Sequence, residues 1–291
     1  MKKTAITALF FCLCLKPALA QQQKDIKKLT DSVETEGKAL YLSEIASWYG
    51  TDIFLEQCKN KKGRIGGYLS YDTGKGVNNI FFSKDAEPVV LATMSFPYEV
   101  KPPNCKLDTA ERKLSPTENQ LYRIRKSAML AINSNKDSIF RFYKNTGTNP
   151  VPIVINGQKR VYFLTSPHAN GVVIFGNDYL LTFDKNDQVA TTKRLHKNII
   201  SIPIGRNPAD TSKSETVAGM HTHVAETGEF ITATDICTLM LYEKFSSWKQ
   251  YYVISPTYVS IWDCAKNSLV ALTREAWDKI NADQKARHPS N

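Results

Sequence analysis

The sequence predicts an α+β protein, a mixed, mainly antiparallel sheet flanked by helices and preceded by a small β-rich N-terminal region. Three observations carry this. Short β-rich runs recur between turn dipeptides, which is the mark of antiparallel pairing. Two helices with clear start signals are embedded among them. The composition, 42% hydrophobic and 23% charged over 291 residues, supplies a packed core and excludes an extended disordered chain.

The first 20 residues read as a cleavable secretory signal. Lys2 and Lys3 precede an apolar run from Ala5 to Leu15, and Ala18-Leu19-Ala20 offers small residues before Gln21. That run is too short for a membrane anchor, and no later stretch reaches the roughly 20 apolar residues of a bilayer crossing. The mature chain is therefore expected without a transmembrane segment, in the periplasm or outside the cell. Cleavage removes three lysines and no acids, taking the formal charge from +10 to +7. No basic cluster is interleaved with aromatics, which argues against a nucleic-acid partner. Four cysteines, Cys58, Cys105, Cys237 and Cys264, would enter an oxidising compartment, where the expected disulfides are Cys58 with Cys105 and Cys237 with Cys264. None has the short spacing of a zinc knuckle.

Residues 21–37, polar and lysine-rich, read as a mobile lead-in, and Ala39 to Trp48 as helix. Ile65 to Tyr71, Val77 to Ser83 and Val89 to Phe96, separated by turn-forming stretches, form an antiparallel meander. Pro102-Pro103 and the polar stretch after it place a boundary near residue 110, giving a front region 21–110 and a back domain 111–291. Ser115-Pro116-Thr117-Glu118 is a capping box with proline at the first helical position, and Leu121, Ile124, Ala128 and Ile132 line one face of the helix it opens. Asn156-Gly157 signals a hairpin between Val151–Ile155 and Val161–Thr165, and Gly176-Asn177 signals a second between Val172–Phe175 and Tyr179–Phe183. Strands are expected at Ile199–Ile204, Val217–His223, Tyr251–Ser255 and Tyr258–Trp262, with a helix over Ala233–Phe245. The four tryptophans read as core.

One constellation points to chemistry. His221 and His223 are two apart on a strand and share a face, so both could hold one metal ion. Asp235 opens the following helix and is placed to be a third ligand, leaving a position for water as in catalytic zinc. Thr232-Ala-Thr-Asp235 is equally a capping box, in which Asp235 accepts backbone N–H bonds. His196, within the basic Lys193-Arg-Leu-His-Lys197, reads as a solvated turn, and His288 belongs to the polar tail.

His221-Thr-His223 followed by Thr232-x-x-Asp235 resembles the His-x-His…Ser/Thr-x-x-Asp motif of the JAB1/MPN (JAMM) zinc metallopeptidases, in a form similar to JAB-like domains of bacterial exported and toxin proteins. The likeness extends over about residues 115–275. It implies a curved sheet clasped by helices, Zn2+ on His221, His223 and Asp235, and hydrolysis of peptide or isopeptide bonds in a peptide, protein or peptidoglycan substrate. Thr232 would then support the oxyanion, as the family's serine does. Two departures are plain. The loop between His223 and Asp235 is one residue longer than usual. The family's water-activating glutamate is missing, its matching position being His168, and no glutamate occurs between Glu118 and Glu215. His168, as base, further ligand or surface residue, and the loop residues Glu226 and Glu229 are the candidates to replace it. The alternative expectation is a catalytically degenerate JAB-like binding module of the cell envelope.

Overall fold

The computed structural model describes residues 5–135, 138–204 and 216–287, with side chains from residue 25 onward; His288 and residues 1–4 lie outside these. The fold is mixed α+β, about 35% helix and 36% strand, with all strand pairs antiparallel but one.

α1 runs from Ala5 to Gln57, so the segment 21–37 is helical rather than a mobile lead-in. Its polar side chains are used as anchors, which polarity alone does not reveal. Glu36 accepts hydrogen bonds from Arg160 and Tyr162, and Glu34 accepts one from the backbone N–H of Leu269 at 2.9 Å. At Gly37 the helix passes so close to Ile236 that an added Cβ would sit 2.6 Å from that side chain. Only glycine permits this crossing.

Among the described residues the strands fall into four sheets. β1 (Ile65–Asp72), β2 (Val77–Ser83) and β3 (Val89–Phe96) form the expected meander, extended by β4 (Lys106–Asp108) and β5 (Arg112–Lys113). α2 (Pro116–Ser134) starts at the full capping box and buries Leu121, Ile124, Ala128 and Ile132. β6 (Thr146–Ile155) and β7 (Gln158–Pro167) make the Asn156-Gly157 hairpin, both turn residues having positive φ as a type I′ turn requires.

The second hairpin does not form. β8 (Val172–Gly176) pairs with β11 (Ile199–Pro203), whereas β9 (Tyr179–Phe183) pairs with β7 and β10 (Val189–Arg194). Gly176 and Asn177 do have positive φ. The Asn177 amide, however, donates to Arg141 O and Thr165 Oγ1, and Asp178 Oδ1 accepts from Thr165 N, so the linker is pinned to β7 and carries the chain between sheets.

The last sheet is β12 (Ala218–Thr222), β13 (Gln250–Ile254), β14 (Tyr258–Asp263) and β15 (Ser268–Thr273), with β12 parallel to β13. α3 (Ala233–Tyr242) connects the parallel pair, and α4 (Arg274–Arg287) follows β15. Three apolar clusters hold these layers together. One joins Leu40 and Phe54 of α1 to Phe81, Leu91, Tyr162 and Cys237, and so takes side chains from both sides of residue 110. A second packs α2 on β1, β2, β7 and β9. The third surrounds Trp262, Tyr251 and Phe175. Trp248 and Trp262 are core, while Trp48 and Trp277 are half-buried.

Glu44, buried on α1, accepts from Asn149 Nδ2 through both carboxylate oxygens at 2.8 and 2.9 Å. Burial raises its pKa to about 7 against the pull of Asn149. A carboxyl whose folded pKa lies above its unfolded value binds its proton more tightly when folded, so this group costs stability as pH rises from about 4.5 to about 7. Glu44→Gln is therefore expected to flatten that decline, gaining on the order of 2–3 kcal/mol at pH 8 and little at pH 4 in urea melts. An equal gain at both pH values would contradict it.

Candidate metal centre

The site begins with two glycine and cap requirements that bring β12 and α3 together. Gly219 lies opposite Tyr251 in the parallel register, and an added Cβ there would stand 2.6 Å from the tyrosine ring. The vacant space lets the ring lie over β12, so that Tyr251 Oη reaches His221 Nδ1 at 3.1 Å. At the start of α3, Thr232 is the N-cap: its Oγ1 accepts from Asp235 N at 3.1 Å. Asp235 Oδ2 in turn accepts from Thr232 N at 2.9 Å and from Thr232 Oγ1 at 2.8 Å. Capping and ligation are thus not alternatives for Asp235. Oδ2 caps the helix and lies 3.6 Å from His223 Nε2, while Oδ1 faces His196 and His221.

The fourth member is His196, and here the expected solvated turn is wrong. His196 is 4% exposed, and its Nε2 lies 3.1 Å from Asp235 Oδ1. Leu195 is buried and donates its N–H to Asp178 O at 2.9 Å, which draws the turn inward while Lys193 and Lys197 remain exposed. The signal in the sequence was the Leu-His pair inside the basic run, an apolar anchor masked by its charged flanks.

His196, His221, His223 and Asp235 are all buried, and one ligand atom from each lies within 4.8 Å of every other. The group could hold a metal ion. Each imidazole turns Nε2 inward and Nδ1 toward an outer partner. His223 Nδ1 faces Phe230 O at 3.0 Å, which places the proton on Nδ1 and a lone pair on Nε2. His221 Nδ1 faces the Tyr251 hydroxyl. His196 Nδ1 has no hydrogen-bond partner but lies 3.8 Å from Asp178 Oδ2. Outer groups that fix the ring and leave Nε2 free are the usual support of metal-binding histidines. His221 Nε2 and His223 Nε2 are 3.0 Å apart, a contact that two lone pairs tolerate only around a shared proton or cation.

The electrostatics fit the same picture. Burial alone would raise the Asp235 pKa, but the imidazoles, His196 foremost, hold it well below the usual carboxylate range. Burial lowers His221 to about 4 and His223 in the same direction, keeping both neutral, the state in which imidazole ligates. Burial also disfavours charge on His196, yet Asp235 and then Asp178 raise its pKa. Asp178 itself is pushed up to about 6 by burial, with His196 opposing. Tyr251→Phe removes the outer hydrogen bond to His221 and is expected to weaken metal binding about 10–100-fold, read by competition with a chromogenic chelator. Unchanged affinity would mean that the tyrosine does not orient the ring.

The other candidate participants are not among the four residues of this group. His168 is exposed at the end of β7, its N–H donating to Asn145 O at 3.0 Å. Glu226 and Glu229 are exposed on the loop before α3, and Glu229 accepts from Thr257 Oγ1 at 3.1 Å. Thr232 alone of the four borders the cluster. The expected disulfides are not formed: Cys58, Cys105, Cys237 and Cys264 are free thiols. Cys237 and Cys264 pack into different apolar clusters, and Cys58 and Cys105, although they meet one cluster, remain unpaired. No described helix is long and apolar enough to cross a membrane. Comparison with known proteins finds no matching family model, no matching characterised protein and no matching solved structure.

Proposed function

We propose that this is an exported zinc protein whose centre is closed by four protein ligands, a JAB-like module that binds a protein or peptidoglycan partner without cleaving it. The observation that carries this is His196. Zinc bonds of about 2.0–2.1 Å place tetrahedral ligand atoms about 3.3 Å apart. Asp235 Oδ1 lies 3.1 Å from His196 Nε2 and 3.7 Å from His221 Nε2, Asp235 Oδ2 lies 3.6 Å from His223 Nε2, the His221 and His223 Nε2 atoms are 3.0 Å apart, and one ligand atom from each of the four residues lies within 4.8 Å of every other. With four ligands at 1–5% exposure, the centre has the closed character of structural zinc rather than the open position of a catalytic site. Among the described residues the metal-binding group holds no carboxylate besides Asp235.

A second reading, zinc-dependent hydrolysis of peptide or isopeptide bonds, is favoured by the order His221-x-His223…Thr232-x-x-Asp235. It requires His196 to leave a coordination position to water. Metal content of the purified chain, beside turnover of peptidoglycan, a fluorogenic peptide and an isopeptide-linked substrate, separates the two. The expected result is one zinc per chain, lost in His221→Ala/His223→Ala, with no turnover. Turnover that the double variant abolishes would establish the hydrolase instead. A parent chain without metal would remove both.

A further inference from the structure

A cleft of about 280 Å3 lies between α2 and the β2–β3 turn, and Phe82, Lys84, Tyr122, Arg125, Lys126 and Met129 are among the residues that line it. Arg125 stands out by its lack of company. Its buried Nε has no hydrogen-bond partner, and among the described residues the guanidinium makes no ion pair. Elsewhere on and beside α2 the arginines find carboxylates: Arg123 meets Asp187 and Arg112 meets Glu118, both at 2.7 Å. Among the described residues the compensation for Arg125 is the Phe82 ring, 6.0 Å from the guanidinium carbon and itself packed edge-on by Tyr122. Burial lowers the Arg125 pKa, and no carboxylate counters it.

An arginine cannot become neutral by shedding its proton as a buried lysine can, so the half-buried guanidinium keeps its charge and is favoured by an anion beside it. Lys84 and Lys126 line the same cleft, are exposed and make no ion pair among the described residues. Asp85, also at the cleft, lies 3.9 Å from Arg64 and is thereby directed to another cation. We propose that this cleft binds a phosphate group, the Arg125 fork meeting two of its oxygens and Lys84 and Lys126 the remaining charge. The phosphate is either free or the headgroup of an anionic lipid. None of the four ligand residues of the histidine centre lines this cleft, so the site stands or falls independently of the zinc reading.

The test titrates the purified chain with inorganic phosphate by calorimetry and, in parallel, sediments it with phosphatidylcholine vesicles with or without phosphatidylglycerol. Saturable phosphate binding is expected, weakened about ten-fold or more by Arg125→Gln and by Lys84→Gln/Lys126→Gln, the exposed pair serving where the arginine variant unfolds. Phosphatidylglycerol-dependent sedimentation that phosphate displaces and both variants abolish identifies the lipid headgroup as the source. Phosphate binding without sedimentation identifies free phosphate. Equal phosphate binding by parent and variants overturns the site, as does the absence of both phosphate binding and variant-sensitive sedimentation.

Discussion

His196→Ala is expected to lower zinc affinity at least about 100-fold and to open the centre to solvent. In a closed centre the alanine variant substituted with Co2+ should show shifted and weakened visible bands relative to the parent, because water replaces an imidazole. The same centre ties together three segments far apart in the chain: the turn after β10, the end of β12 and the first turn of α3. Metal that binds only the folded state stabilises it by RT ln(1 + [L]/Kd), about 4 kcal/mol at a thousand-fold excess over Kd. For a chain of this size each kcal/mol moves Tm by about 2–4 °C, so chelation should lower Tm by roughly 8–16 °C, and His196→Ala by a comparable amount. If His196→Ala keeps full affinity and the parent's visible bands, His196 is not a ligand and three residues hold the metal.

Much of this was legible in the residues, and the failures have physical causes. The meander, the α2 stripe and the His221, His223, Asp235 grouping follow from short-range rules: period two in strands, period near four in helices, and the cap. What local rules could not supply was tertiary. Gly176-Asn177 has the backbone geometry of a hairpin turn, yet the Asn177 and Asp178 side chains bind Thr165 of β7 and send the two strands to different sheets. Glu34 and Glu36 in this segment serve as anchors because their partners, Arg160, Tyr162 and the backbone N–H of Leu269, are polar groups more than a hundred positions away. His196 was hidden by its lysine neighbours, since charge averaged over five residues says nothing about which side chain turns inward. The resemblance drawn from the motif named three candidate ligands and left the site open; the fourth candidate, His196, comes from a turn the motif does not contain.

Glu118→Ala is expected to cost about 2–4 kcal/mol, a large fraction of a domain's stability. The capping box identified Glu118 as a helix N3 residue, worth about 1 kcal/mol as a cap. The structure gives it two further roles, toward Arg112 and Tyr71. Glu118 is fully buried and takes a bidentate pair from Arg112, both bonds 2.7 Å, as well as the Tyr71 hydroxyl and the Ser115 N–H at 2.7 Å each. One carboxylate therefore fastens α2 to β5 and β1. Deleting it strands the guanidinium, the phenol and a helix N–H, whereas Glu118→Gln keeps one acceptor oxygen and loses the charge and the other acceptor, so the glutamine variant should recover about half of the loss. The pH dependence distinguishes this from a packing defect. Burial by itself would raise the Glu118 pKa, but Arg112 first, then Ser115 and Tyr71, bring it below the usual 4.5. A folded pKa below the unfolded one contributes stability that is complete above about 4.5 and is lost as pH falls through the folded value. The gap between parent and Glu118→Gln, measured by urea melts, should be widest near neutrality and close on acidification; a gap constant from pH 7 to pH 3 would assign the loss to packing and remove the ion pair from the account.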